Sequence, residues 1–229
     1  MHCVATLQEA AVKAVALASG NTSGEHAESD VEAMVTATCS QLSSSQQYVR
    51  GLYSGGTFCL EAQLIWRNTD IQTYSIVPLS DDWQLVDGDQ STEHTAIDLG
   101  GDEFTVGRPH PMIDYGVRID RLLKEALDPN VACIVLDVVL GHGSHDDPAS
   151  VLAPAIREAK TSARRQGREL PIVCFVRGTE DDPQQLALQK EALENDGAIL
   201  VASSTAAASF AAAIATEMTR NRSQQSRTR

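Results

Sequence analysis

The chain has 229 residues, 42% of them apolar and only 4% aromatic, with 18 Lys+Arg against 31 Asp+Glu and a net charge of -13. That length suits one large domain with an appendage, and the acidic balance disfavours nucleic acid, because the basic residues form no stripe that would draw phosphates to the surface. No apolar run is long enough to span a bilayer, since the best of them, Val131 to Leu140, contains Asp137.

Thr6 to Ala18 reads as a short alanine-rich helix. Gln8, Glu9 and Lys13 interrupt its apolar residues and no basic leader precedes it, so a signal peptide is not expected. Gly20 to Gly24 is a polar linker, Ala27 to Gln41 a second helix, and Ser43 to Gln47 ends it. Residues 1–47 are thus a helical connector, expected to dock on the main body or to swap onto a neighbouring subunit. From Tyr48 the pattern changes to short β-branched runs alternating with amphipathic stretches. Strands are predicted at Tyr48 to Ser54, Thr73 to Pro78, His94 to Leu99, Val131 to Leu140, Pro171 to Val176 and Ala198 to Ser203. Helices are predicted at Thr57 to Arg67, Ile113 to Leu127, Asp147 to Gln166, Pro183 to Asn195 and Thr205 to Thr219. The nearly continuous apolar run from Val131 implies burial on both faces, as in a parallel sheet covered by helices. The fold class is therefore α/β, an open three-layer domain over residues 48–219 with its ligand site at the carboxyl ends of the strands. Residues 220–229, rich in Ser, Gln and Arg, read as a solvated, disordered tail.

Three polar segments each follow a predicted strand. In Ser54-Gly55-Gly56-Thr57 the glycines permit a sharp turn, and the N–H groups of the helix start, with two hydroxyls, form an anion cradle or else an ordinary turn with its cap. The stretch from Asp98 to Asp114 holds Gly100, Gly101, Arg108 and His110 between two prolines. Arg108 is the bidentate clamp for a phosphate or carboxylate, unless it pairs with Asp102 or Glu103. Gly141 to Pro148 carries His142, His145, Asp146 and Asp147. Either carboxylate caps the following helix, and the His residues suit acid/base work better than a metal, for which no ligand from elsewhere in the sequence completes a site. His110 or His142 is the proton carrier, and Asp137 inside the buried strand joins them as a candidate catalytic residue. No metal and no certain cofactor is expected. A further loop, Gly178 to Pro183, is another helix start with capping carboxylates.

Neither a P-loop nor a dinucleotide-binding glycine fingerprint nor a Gly-x-Ser-x-Gly elbow is present. Five Cys with no Cys-x-x-Cys pair suit a reducing, cytoplasmic compartment, and Cys133 and Cys174 read as small buried hydrophobes.

At these segments the sequence resembles the FdrA family, whose members are similar to the α subunit of succinyl-CoA synthetase and related acyl-CoA synthetases. The resemblance rests on Tyr48-Val49-Arg50-Gly51-Leu52-Tyr53-Ser54-Gly55-Gly56-Thr57, on Asp98 to Asp114 with Gly-Arg-Pro-His-Pro-Met-Ile-Asp, on Leu136 to His145 and on Arg177 to Pro183. It implies a flavodoxin-like domain in which the turn at Ser54 to Thr57 starts a helix whose amino end receives a phosphoryl group. The synthetase α subunits carry a phosphorylated His after the strand matching Pro171 to Val176. Thr179-Glu180-Asp181-Asp182-Pro183 stand there instead, and His142 and His145 follow a different strand. Phosphohistidine-dependent thioester synthesis and CoA as cofactor are therefore not expected, nor is the upstream CoA-binding-like domain of full-length members. The resemblance implies one subunit of a multi-subunit oxamate carbamoyltransferase of allantoin and purine nitrogen catabolism, converting oxalurate and phosphate to oxamate and carbamoyl phosphate. The substrate would be phosphate or a phosphorylated acyl group, and the partners other subunits, with contacts between copies of the chain. The alternatives are an acyl-CoA synthetase subunit and a non-catalytic scaffolding domain.

Overall fold

In the computed structural model, which describes residues 4, 6–19 and 28–227, two helices precede the domain: α1 (Leu7–Ser19) and α2 (Glu28–Cys39). Then follow β1 (Tyr48–Tyr53), α3 (Gly56–Arg67), β2 (Thr73–Tyr74), β3 (His94–Asp98), the single turn α4 (Asp102–Thr105), α5 (Gly116–Glu125) and β4 (Val131–Val139). The chain continues through α6 (Pro148–Arg165), β5 (Ile172–Arg177), α7 (Leu186–Asn195), β6 (Ile199–Leu200) and α8 (Ser204–Arg227). All strands pair in parallel, in the order β2-β3-β1-β4-β5-β6. This is the helix-covered α/β sheet that the alternation of strands and helices predicts.

Parallel strands need crossover helices, and those helices bury both faces of the sheet. Along β4, Ile134, Leu136 and Val138 face a core built with α5 and α6, while Cys133 and Val135 face one built with α3 and α8. That alternation is the two-residue period of a strand applied to a run with no polar face. Trp66 of α3 is fully buried, and its indole N–H donates to Ala208 O of α8 at 2.9 Å. On the opposite face Leu122, Leu152 and Ile156 pack with no exposure.

The appendage lies on the α3–α8 face. Val35 and Cys39 of α2 are buried in that core; α1 touches it through the Leu7 N–H to Glu61 Oε1 (2.9 Å) and the Ser203 hydroxyl to Gln8 Oε1 (2.7 Å). Gln46 ties the connector to the sheet by donating to Val131 O and Glu169 O at 2.9 and 2.8 Å. Among the described residues no helix is long and apolar enough to cross a membrane.

Several expected boundaries move, each for a local reason. The strand predicted from Thr73 to Pro78 stops at Tyr74, because Ser75 turns to Trp83 O and Leu85 N instead. The helix predicted from Ile113 begins at Gly116, since Ile113 and Asp114 donate to His110 O in a turn and Asp114 Oδ1 accepts the Gly116 N–H. The helix predicted from Pro183 begins at Leu186, after Gln185 in the left-handed region (φ 57°). The strand predicted over Ala198 to Ser203 keeps only two residues at the sheet edge. The tail expected to be disordered from Arg220 continues α8 to Arg227, for no Gly or Pro stops the helix and Arg220 pairs with Glu217 one turn back.

Candidate functional site at the carboxyl end of β1

β1 leaves the sheet toward the face of α3, whereas its two neighbours, β3 and β4, connect through α5 and α6 on the other face. The strand ends on both sides of β1 therefore part, and a crevice opens at Ser54. Tyr53 O accepts the Leu99 N–H at 2.8 Å, which holds the ends of β1 and β3 together.

The turn itself is Ser54-Gly55-Gly56. Gly55 is the N-cap of α3 with extended backbone and no side-chain cap, and a Cβ there would meet nothing within 4 Å. The first N–H groups of α3 have no intrahelical acceptor, so they face this open space. Thr57 is exposed on the same first turn. A Cβ on Gly56 would lie 3.1 Å from Asp98 Oδ2, which sets that carboxylate beside the helix start.

Ser54 is 1% exposed and points the other way. Its N–H donates to Asp137 Oδ1 at 2.8 Å and its hydroxyl to Asp137 Oδ2. Asp137 is fully buried and is held in turn by Arg118 Nη2, 3.2 Å from Oδ1 and 2.5 Å from the Asp137 carbonyl. Ser54 thus offers no donor to the crevice, contrary to its expected place in the cradle. Asp137 sits beneath the site rather than in it.

Gly100 and Gly101 also depart from the expectation. The Gly100 N–H is taken by Asp98 Oδ1 (2.9 Å) and the Gly101 N–H by Asp98 O (3.3 Å), so neither is free for an anion. Gly100 is present because of crowding: a Cβ would fall 2.5 Å from Ser54 O and 2.6 Å from His110 Nε2. His110 is therefore brought to the crevice as predicted. Its Nδ1 accepts the Met112 N–H at 3.3 Å, which leaves Nε2 as the protonated nitrogen of the neutral ring, facing Gly100 and Asp98. Burial, with a contribution from Asp137, raises the pKa of Asp98, against the pull of the Gly100 N–H and His110.

Arg108 is exposed, and among the described residues neither a side-chain hydrogen bond nor an ion pair joins it to Asp102, Glu103 or the cradle. His142 is likewise exposed on its loop, between Gly141 and Gly143 at φ 120° and 87°. His145 is structural: its Nδ1 accepts the Asp147 N–H, its own N–H donates to Met112 O, and its ring meets Tyr115 edge-on. Gln184 pins that loop by donating to Gly141 O, Ser144 Oγ and His145 O while accepting the Gly141 N–H. Asp147 caps α6 as predicted. Among the described residues no group of three His, Cys, Asp or Glu could hold a metal ion. Burial pushes the Cys174 thiol up to about 12 and that of Cys133 further, which keeps both inert.

The features sequence reasoning missed are Arg118 and the carboxylate of Asp98. A signal for Arg118 existed: Arg118, Arg121, Leu122 and Glu125 fall on one face of α5, and all four are buried.

Residues 52–214, from the end of β1 into α8, match the CoA-ligase family. The chain belongs to the CoA-ligase family. It is also 41% identical over 198 residues to the uncharacterized protein YahF of Escherichia coli (strain K12), a match covering 86% of this chain and 38% of that relative. The chain therefore spans well under half the length of that relative. The matched region includes every strand-end segment described above, so the crevice is a feature of a succinyl-CoA synthetase-like CoA-ligase domain.

Proposed function

We propose that this CoA-ligase domain holds phosphate, or the phosphoryl end of an acyl phosphate, at the start of α3, as one subunit of an acyl-CoA synthetase-like enzyme. The observation that carries the reading is the uncapped first turn of α3, with open space over Gly55, at the point where the strand connections part. Helix N–H groups and the positive end of the helix dipole favour an anion there. His110, with Nε2–H facing the crevice, is the proton carrier of this reading, and Arg108 is free to close over the anion from the adjoining loop.

The finer reading of the same anion site, an alternative to acyl-CoA synthesis, is carbamoyl transfer from oxalurate to phosphate. An oxygen of hydrogen phosphate attacks the carbamoyl carbon, the bond from that carbon to the oxamate nitrogen breaks, and the leaving nitrogen takes a proton from His110 that the proton given up by the hydrogen phosphate restores. What supports it is the FdrA resemblance of the strand-end blocks, together with Thr179 to Asp182 in place of a phosphohistidine loop. Asp182 there is engaged in accepting the Thr179 N–H at 2.6 Å. CoA is not assigned to this chain. A surface cavity of about 370 Å³ near α7 is lined by Asp146 and Asp147, whose charge opposes the phosphates of the coenzyme.

Gly55→Val tests the anion site, because the extended backbone accepts any side chain and the new one fills only open space. Millimolar phosphate should raise the melting temperature of the parent chain and leave that of the variant unchanged. Equal responses, or none in either, would remove the reading. Phosphate-dependent oxalurate cleavage by the chain with its partner subunits tests the finer one, and activity untouched by Arg108→Ala and His110→Gln would favour a scaffold.

A further inference from the structure

We infer that Asp137, held by Arg118, is a positioning residue for the start of α3, drawing both donors of Ser54 beneath the crevice and so setting the direction of the helix N–H groups above it. The inference rests on the anion-site reading for its functional consequence, but its geometry stands apart from that reading.

Ser54 is the hinge between strand and helix. Its preceding residue accepts from Leu99 on one side, and its own N–H and hydroxyl bond to Asp137 of β4 on the other. The peptide plane at Ser54 is therefore held by both neighbouring strands. Gly55 and Gly56 follow with no side chains to direct them, so their orientation is inherited from Ser54.

Arg118 reaches this point from α5 with no exposure at all. One of its nitrogens, Nη2, serves Leu52 O, Asp137 O and Asp137 Oδ1, tying the ends of β1 and β4 together. Its Nε and Nη1 have no hydrogen-bond partner among the described residues. A buried guanidinium satisfied at only one nitrogen is a poor way to stabilise a core, since apolar packing of similar volume does better. What the ion provides here is charge and direction. It offsets the Asp137 carboxylate directly below the cradle, so that an incoming anion meets a neutral floor rather than a second negative charge. Tyr115, whose ring lies 5.1 Å from the Arg118 guanidinium, closes the other side.

The experiment uses the full chain, with inorganic phosphate as probe and Ser54→Ala and Asp137→Asn as variants. Two quantities are read well below each melting temperature: the phosphate Kd, and the amide resonances of Gly56, Thr57 and Phe58 without phosphate. The expected result is that both variants shift those amides, while distant strands keep theirs, and that Ser54→Ala, which leaves the charges of Asp137 and Arg118 in place, weakens phosphate about tenfold. A purely structural pair would lower the melting temperature while leaving Kd and the helix-start amides in place, and that result would overturn the inference. If Asp137→Asn does not fold because Arg118 loses its partner, Ser54→Ala, which removes one hydroxyl, decides alone. Should the parent chain fail to bind phosphate, the anion-site reading falls, and the amide shifts still decide whether Asp137 positions the helix start.

Discussion

At the scale of single residues, two glycines of the crevice serve opposite ends. Gly100 is demanded by crowding and Gly55 leaves room, so the same Gly→Ala change should separate them. Gly100→Ala should cost about 1–3 kcal/mol, because both clashing atoms, a backbone carbonyl and a His ring held by a proline-flanked turn, have little freedom to move. Gly55→Ala should leave stability in urea within about 0.5 kcal/mol of the parent. Equal effects would mean that the contacts at Gly100 relax. A second residue sets the response to pH. Burial, aided by Arg50, holds His94 down to about 4 from 6.5, and its Nδ1 accepts the Val49 N–H. The folded state thus binds the proton more weakly than the unfolded one, so stability present above pH 6.5 is lost as the pH falls toward 4. The loss is on the order of 3 kcal/mol. His94→Gln keeps an acceptor and should flatten the melting temperature over that window; an unchanged slope would place the sensitivity elsewhere.

At the scale of elements, α5 shows what a sequence hides. Its sheet-facing stripe is Arg118, Arg121, Leu122 and Glu125, three charges and one leucine, where an amphipathic reading expects apolar side chains. Apart from Arg121 one turn back, the partners that make burial of Glu125 tolerable lie far away in the chain. Glu125 accepts from Arg50 at 2.8 Å, from Arg121 at 2.6 Å and from the Ser91 hydroxyl at 2.5 Å. Burial alone would raise the Glu125 pKa, but Arg50 and Arg121 outweigh it and hold it low. Glu125→Ala should therefore cost about 3 kcal/mol in chemical denaturation, since it takes the carboxylate from buried Arg121 and leaves Arg50 with Asp128 alone. The strands were legible because parallel burial leaves long apolar runs, and β4 and β5 sit within about a residue of their predicted bounds. The site was half legible. Gly-rich strand ends and His110 showed in the sequence, whereas the donors used up inside Asp98 and Asp137 could not, because a hydrogen bond between residues 54 and 137 leaves no local trace.

At the scale of the whole molecule, the connector helices are the part whose contribution is least evident from pattern alone, and the structure divides it unevenly. α1 meets the domain through polar contacts at Leu7 and Gln8 and leaves Val12 and Leu17 exposed, while α2 seats Val35 and Cys39 in the core of α3 and α8. A deletion series should follow that division. Among the described residues, those before residue 28 hold no buried apolar side chain, so removing residues 1–27 should shift the melting temperature by no more than about 2–4 °C, the effect of roughly 1 kcal/mol from partly exposed hydrogen bonds. Extending the deletion through Leu42 uncovers the seat of Val35 and Cys39, worth about 3 kcal/mol of burial, and for a chain of this length should lower the melting temperature by roughly 6–12 °C. Gln46, which stays in both truncations, keeps its bonds to Val131 and Glu169, so the loss can be assigned to α2 rather than to the edge of the sheet. Light scattering on the same samples separates loss of a docked helix from loss of a subunit contact. A monomer that melts early supports docking within the chain, and a change in oligomeric state at an unchanged melting temperature would show that α2 serves a neighbouring copy instead.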